Sequence, residues 1–216
     1  MNRPNGAPSR ALAATFSFVF LAIVFVLGVA VRGAPPPIDV ALADTLASLM
    51  PSSATDVFNF LGTLPVFIGI GVVGAVAQWW QGRQPIAVAF LLGLCSEFVT
   101  TLVKVVIDRP RPPGGTDVEG FITGASYPSG HSVRLVVMTG LLVVAFTPRQ
   151  GAGRWLAIGG AVILVVLVGF ARIASHEHWP TDVLGGWLLG TAWLTVCLLV
   201  ERTLRARDAT RGRSPS

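Results

Sequence analysis

Charge is scarce in this chain. Asp, Glu, Lys and Arg make up 12% of its 216 residues, and a single lysine, Lys104, stands against fifteen arginines. Apolar residues account for 52% and the mean hydropathy is +0.68, which excludes an ordinary soluble globule and points to a membrane protein. Cysteine is nearly absent. Cys95 and Cys197 are the whole complement; both fall in apolar stretches, where they behave as small hydrophobes, so neither a disulfide framework nor redox chemistry follows. Low-complexity segments and internal repeats are also missing, and the length suits one bundle rather than two domains. The arginine bias, with abundant Ala, Gly and Val, points to a high-GC bacterial genome. Acids are outnumbered, leaving a net charge of +5. In a soluble chain that excess would suggest nucleic acid; in a membrane chain it reads as basic cytoplasmic loops, and no nucleic-acid partner is expected.

Long apolar runs dominate what is present. Crossing a hydrocarbon core of about 30 Å takes roughly 20 apolar residues, and six stretches qualify: 11–31, 56–79, 86–107, 129–147, 155–174 and 182–200. The expected fold is therefore all-α, an integral membrane bundle of six transmembrane helices over residues 1–200, followed by a basic, disordered cytoplasmic tail at 201–216. The first run exceeds the roughly 7–15 residue core of a signal peptide and reads as a retained helix. Arg3, Arg10, Arg83, Arg149, Arg154, Arg202, Arg205, Arg207, Arg211 and Arg213 all fall on one side of these spans, which the positive-inside rule makes the cytoplasm, along with both termini. The other side receives Asp39, Asp44, Asp56, Asp108, Asp117, Glu119, Glu177 and Asp182, but also Lys104, Arg109, Arg111 and Arg172, which break the rule and need a separate reason. The first outer loop, "IDVALADTLASLM", reads as a short interfacial helix with Leu42, Leu46, Leu49 and Met50 on its apolar face and Asp39 and Asp44 in more polar placement.

Three clusters sit at the outer ends of spans. In "KVVIDRPRP", Lys104 is a compact ammonium and Arg111 a planar fork suited to an oxyanion. In "YPSGH", Pro128 fits the first turn of a helix, so the backbone N–H groups of Ser129, Gly130 and His131 face outward as an anion site. The Ser129 hydroxyl adds a donor there, and His131 can exchange a proton near neutral pH. In "ARIASHEHWPTD", Arg172 offers another fork, Pro180 opens a helix, and Asp182 in its first turn can reach the ring of His178, fixing the tautomer and freeing the other nitrogen as a nucleophile. His176 and Glu177 are weaker candidates. Singly, these clusters read as snorkelling cations, a capped helix start and a first-turn acid. Together they concentrate cations with too few acids to balance them, and a phosphate group held among them resolves the excess.

Lys104-x6-Arg111-Pro112, Pro128 to His131, and Arg172-x5-His178-x3-Asp182 together resemble the type-2 phosphatidic acid phosphatase family, which shares a catalytic core with vanadium-dependent haloperoxidases and acid phosphatases. The resemblance covers about 60–200 and departs at Ala171, where the family usually has Ser. It implies catalytic roles for His178 as nucleophile, Asp182 as its orienting carboxylate and His131 as acid and base, with Lys104, Arg111, Ser129, Gly130 and Arg172 binding the substrate phosphate. It further implies no metal, no cofactor and no obligatory protein partner. The substrate would be a lipid phosphate or diphosphate taken from the bilayer: phosphatidic acid, phosphatidylglycerol phosphate or an isoprenoid diphosphate. The competing readings are a lipid-linked phosphotransferase using the same histidine, a haloperoxidase, and a non-enzymatic phospholipid binder or transporter. A zinc site at His131, His176, His178 and Asp182 is disfavoured by the adjacent cations. Glu97 and Arg134 lie inside spans, where ionisable groups are paired or functional; they are expected to line the substrate channel, alone or as a pair. "GGWLLG" (185–190) offers a small-residue packing face.

Overall fold

The computed structural model describes residues 7–115 and 124–211, so the charges expected to matter at positions 3, 117, 119 and 213 lie outside the described residues. Within them the chain forms nine helices: α1 (Ala7–Ala30), α2 (Pro37–Leu49), α3 (Ser52–Leu61), α4 (Leu64–Trp80), α5 (Gln84–Leu94), α6 (Ser96–Ile107), α7 (Gly130–Phe146), α8 (Ala152–Ala174) and α9 (Pro180–Arg211). Helices are the natural outcome for single apolar segments in lipid, because each satisfies its own backbone polar groups. Helix α9 is the central post, packed against α1, α5 and α7, while α7 also meets α4 and α8. Close approach depends on missing side chains. A Cβ at Gly186 would lie 2.6 Å from the Ser129 carbonyl oxygen and one at Gly190 would lie 2.8 Å from Val136 Cβ, so the small-residue face is used within the chain, between α9 and α7. Leu12, Phe18, Val73, Phe98, Trp155 and Leu156 are exposed on the outside, as lipid-facing side chains are.

Among the described residues, four segments are long and apolar enough to cross a membrane: Ala11–Ala30, Gln84–Ile107, Ala152–Ala174 and Pro180–Thr210. A fifth counts only if α3 and α4, bent by 41°, act as one. The expected second run therefore holds a break, not a straight span. Gly62 ends α3, and Pro65 in the first turn of α4 has no N–H with which to continue it. The expected fourth run, α7, has 17 residues, about 26 Å of helix, because Ser129 stands before its first turn. Its N–H bonds the Asp182 carbonyl at 3.0 Å. The expected disordered tail is helical through Arg211, an unbroken extension of α9. The outer-loop helix exists as α2, but Asp39 is fully buried while Ile38, Val40, Leu42 and Leu49 are exposed.

The bundle has two chemically distinct ends. At one, Arg83, Arg149, Arg154, Arg202 and Arg205 line a cavity of about 590 Å³. Arg83 there donates to the Ala145 carbonyl at 2.8 Å, satisfying the end of α7. The other end collects the C-termini of α6 and α8 and the N-termini of α7 and α9.

Candidate active site

Two left-handed residues steer the site. Asp108 (φ 48°) ends α6 and His176 (φ 55°) follows α8; each reverses the chain over its helix end, much as a glycine would. The first turn sends Arg109 inward and Arg111 across the top. The second brings His178 back so that its N–H bonds the Arg172 carbonyl at 3.1 Å. Between α6 and α7 the returning strand of chain is pinned to 109–111. The Ser126 N–H donates to the Arg109 carbonyl at 2.8 Å and its hydroxyl to the Pro110 carbonyl at 3.1 Å.

The cations converge. Lys104 Nζ donates to the Ala125 carbonyl at 2.6 Å, which places it against the segment leading into α7. Arg111 donates from Nε to the Gly124 carbonyl at 3.0 Å and from Nη1 to the Glu177 carbonyl at 2.7 Å. The Glu177 carboxylate stands 3.5 Å from Arg111 and 4.0 Å from Arg172, drawing on both forks, so this weaker sequence candidate is in the site. His178 lies between α8 and α9, and its ring is held neutral. Burial pushes its pKa well below 6.5, and the charges of Arg172, Lys104 and Arg111 push the same way. Arg111 reaches Glu177, the Ser129 N–H donates to the Asp182 carbonyl at 3.0 Å and Lys104 holds the segment that enters α7, so the three sequence clusters do meet.

Helix α7 supplies the rest. Ser129 occupies the N-cap position and Gly130 begins the helix. Because the Ser129 N–H is bonded to Asp182, the outward donors are the first-turn N–H groups of Gly130, His131 and Ser132, one residue later than the sequence suggested. Pro128 likewise precedes the helix instead of opening it. The Ser129 hydroxyl is buried without a protein partner, a donor facing no protein acceptor. His131 is hydrogen-bonded to the Asn59 backbone and packs on Gly62, where a Cβ would come within 2.3 Å of His131 Cδ2. The bend between α3 and α4 thus cradles His131, a role invisible in the sequence.

Asp182 opens α9 as anticipated, behind Pro180, but its carboxylate is engaged differently. Oδ2 accepts the Trp179 N–H at 2.8 Å, the reach-back of a helix cap, and Oδ1 accepts Arg109 Nη1 at 2.5 Å. His178 Nδ1 faces Oδ2 at 3.6 Å, beyond hydrogen-bond range, and has no other protein partner. Arg109, Asp39 and Thr181 were absent from the sequence-derived site. The one available signal was that Arg109 broke the charge rule with no assigned partner. Glu97 and Arg134 form a bidentate pair with both N···O distances at 2.9 Å, and Arg134 also donates to the Gly62 carbonyl at 3.0 Å. Both are buried. Ala171 is fully buried in α8, so its position presents a methyl group to the core. Among the described residues, no three His, Cys, Asp or Glu side chains cluster as metal ligands.

The model of the PAP2 superfamily matches residues 84–206. The chain belongs to the PAP2 superfamily. Among curated proteins it is 42% identical over 115 residues to an undecaprenyl-diphosphatase of Sulfolobus acidocaldarius, covering 50% of this chain and 47% of that one. It is 29% identical over 135 residues to phosphatidylglycerophosphatase B of Bacillus subtilis, covering 61% and 63%. The chain thus spans about half to under two thirds of the length of these curated relatives. The crystal structure of a transmembrane PAP2-type phosphatidylglycerolphosphate phosphatase from B. subtilis matches with a TM-score of 0.69 over 92% of this chain and 98% of that one, at 21% identity, which shows a shared transmembrane PAP2 fold.

Proposed function

We propose that the protein hydrolyses a lipid phosphate or diphosphate through a phosphohistidine intermediate. The observation that carries this reading is the His178 ring, held neutral among Arg111, Arg172 and Lys104 with Asp182 on its Nδ1 side. In the first half-reaction the Nε2 lone pair attacks phosphorus, the bond from phosphorus to the leaving oxygen breaks, and His131 delivers a proton to that oxygen. In the second, His131 takes a proton from water as the water oxygen attacks phosphorus and the N–P bond breaks. Lys104, Arg111 and Arg172, the Ser129 hydroxyl and the amides from Gly130 onward stabilise the charge of the pentacoordinate state; losing one such donor typically costs about 10²–10³-fold in rate.

The relatives and the chemistry together support an isoprenoid diphosphate or phosphatidylglycerol phosphate as substrate, with phosphatidic acid a third candidate. Counting the bent α3–α4 pair and the 17-residue α7 beside the four long segments gives six crossings, with the lipid chains in the bilayer, the site at the outer face and both termini in the cytoplasm. The segregation of arginines to the opposite end of the bundle supports this orientation. The Glu97–Arg134 pair braces the turn that carries His131. The test is phosphate release by purified protein in detergent with EDTA over a panel of these lipids. Wild type should release phosphate, and His178→Ala and His131→Ala should each lose at least about 10³-fold. A rate that appears only with an added alcohol acceptor would make the protein a phosphotransferase, and release retained by His178→Ala would overturn the mechanism.

A further inference from the structure

A buried ionic chain runs behind Asp182. Arg109 Nη2 bonds Asp39 Oδ2 at 2.8 Å while Nη1 bonds Asp182 Oδ1 at 2.5 Å, and all three side chains are completely buried. Thr181 closes the chain. Its hydroxyl donates to Asp39 Oδ2 at 2.6 Å and accepts from Arg109 Nη1 at 2.7 Å. Its N–H, which has no acceptor within the first turn of α9, donates to Asp39 Oδ1 at 3.0 Å. Asp39 sits in the first turn of α2 and makes no capping bond there. It caps α9 instead, from a helix 142 residues away in the sequence.

This arrangement poses an electrostatic problem and answers it. Arg109 alone would neutralise Asp182 and remove the negative charge that His178 needs as its ring becomes cationic on bonding to phosphorus. Two carboxylates against one guanidinium leave one net negative charge behind His178. We propose that Asp39 is a positioning residue for the reaction at His178, one that fixes Arg109 and the start of α9 and offsets the Arg109 charge so that Asp182 keeps its pull on the imidazole. Asp39 touches no substrate; it acts through Arg109 and Asp182. The proposal rests on the phosphohistidine reading above.

The experiment compares full-length wild type, Asp39→Asn, the double variant Asp39→Asn/Arg109→Gln and His178→Ala in detergent micelles. Phosphatidylglycerol phosphate and an isoprenoid diphosphate serve as substrates, vanadate as the pentacoordinate analogue, and thermal unfolding reports the fold. Asp39→Asn should lower kcat about 10²-fold with KM little changed, and vanadate inhibition should weaken in parallel. The double variant, which restores one net negative charge, should turn over faster than the single. Wild-type kcat in folded Asp39→Asn, a kcat loss with vanadate affinity intact, or a double variant no faster than the single would each overturn it. If Asp39→Asn does not fold, the double variant decides: kcat within about thirtyfold of wild type supports the proposal and a larger loss overturns it. If wild type releases no phosphate, or His178→Ala retains its rate, the phosphohistidine reading fails and this inference with it. If both behave as expected and only the Asp39 result is flat, the positioning role alone fails.

Discussion

A methyl group added at position 62 would stand 2.3 Å from His131 Cδ2, deep inside van der Waals contact. Gly62→Ala must therefore move the His131 ring, while His178, held by α8 and α9, stays in place. The expected result is a kcat loss of about 10²-fold with KM near wild type, checked by steady-state phosphate release. Gly69→Ala, where a Cβ meets nothing within 4 Å, is the matched control and should be neutral. His178 carries a second prediction. Burial, followed by the Arg172, Lys104 and Arg111 charges, holds its pKa below the 6.5 of a free imidazole. An unfolded chain takes up that proton near pH 6.5 and the folded chain only further down. In that window the unfolded state binds more protons, and stability rises with pH. The contribution is full above about pH 6.5 and is lost as the pH falls toward the folded-state value. The unfolding midpoint in detergent should drop between pH 7.5 and pH 5, and His178→Gln should shrink the drop.

Helices α6 and α7 are joined across their interface by Glu97 and Arg134, at 2.9 Å on both arms. Removing one member strands the other charge in a buried site, at roughly 3–5 kcal/mol. Glu97→Gln and Arg134→Met should each lower the unfolding midpoint clearly, and the double variant should recover much of the loss; two single variants with wild-type midpoints would show that the pair braces nothing. This pair also marks how much could be read beforehand. Charges inside apolar runs, a glycine beside a histidine and a lone lysine stand out against such a plain background, so the three clusters and the helical class were legible. The helix break at Gly62 was not, because its cause is shared between a local Gly–Thr–Leu–Pro stretch and the ring of His131 lying above it. The inward turn of Asp39 was hidden for a different reason. Its partners Arg109 and Thr181 are 70 and 142 residues away, and a first-turn acid on an amphipathic helix reads as solvated until the helix is placed.

Across the whole molecule, the basic cavity at one end and the histidine-bearing cluster at the other give the bundle a polarity that labelling can test. In a background without Cys95 and Cys197, Asp44→Cys on α2 should react with an impermeant thiol reagent added to intact cells, and Arg207→Cys near the end of α9 only after permeabilisation. The reverse pattern would place the reactive end in the cytoplasm.

On the proposed reading, a lipid phosphate that meets the first-turn amides of α7, a helix of 17 residues, leaves its tails in the bilayer. For such an encounter, molarity is the wrong measure. The protein samples neighbours in two dimensions, and its saturation follows the mole fraction of substrate in the surrounding film. Diluting that film with inert amphiphile should slow turnover even when every tube holds the same amount of substrate lipid.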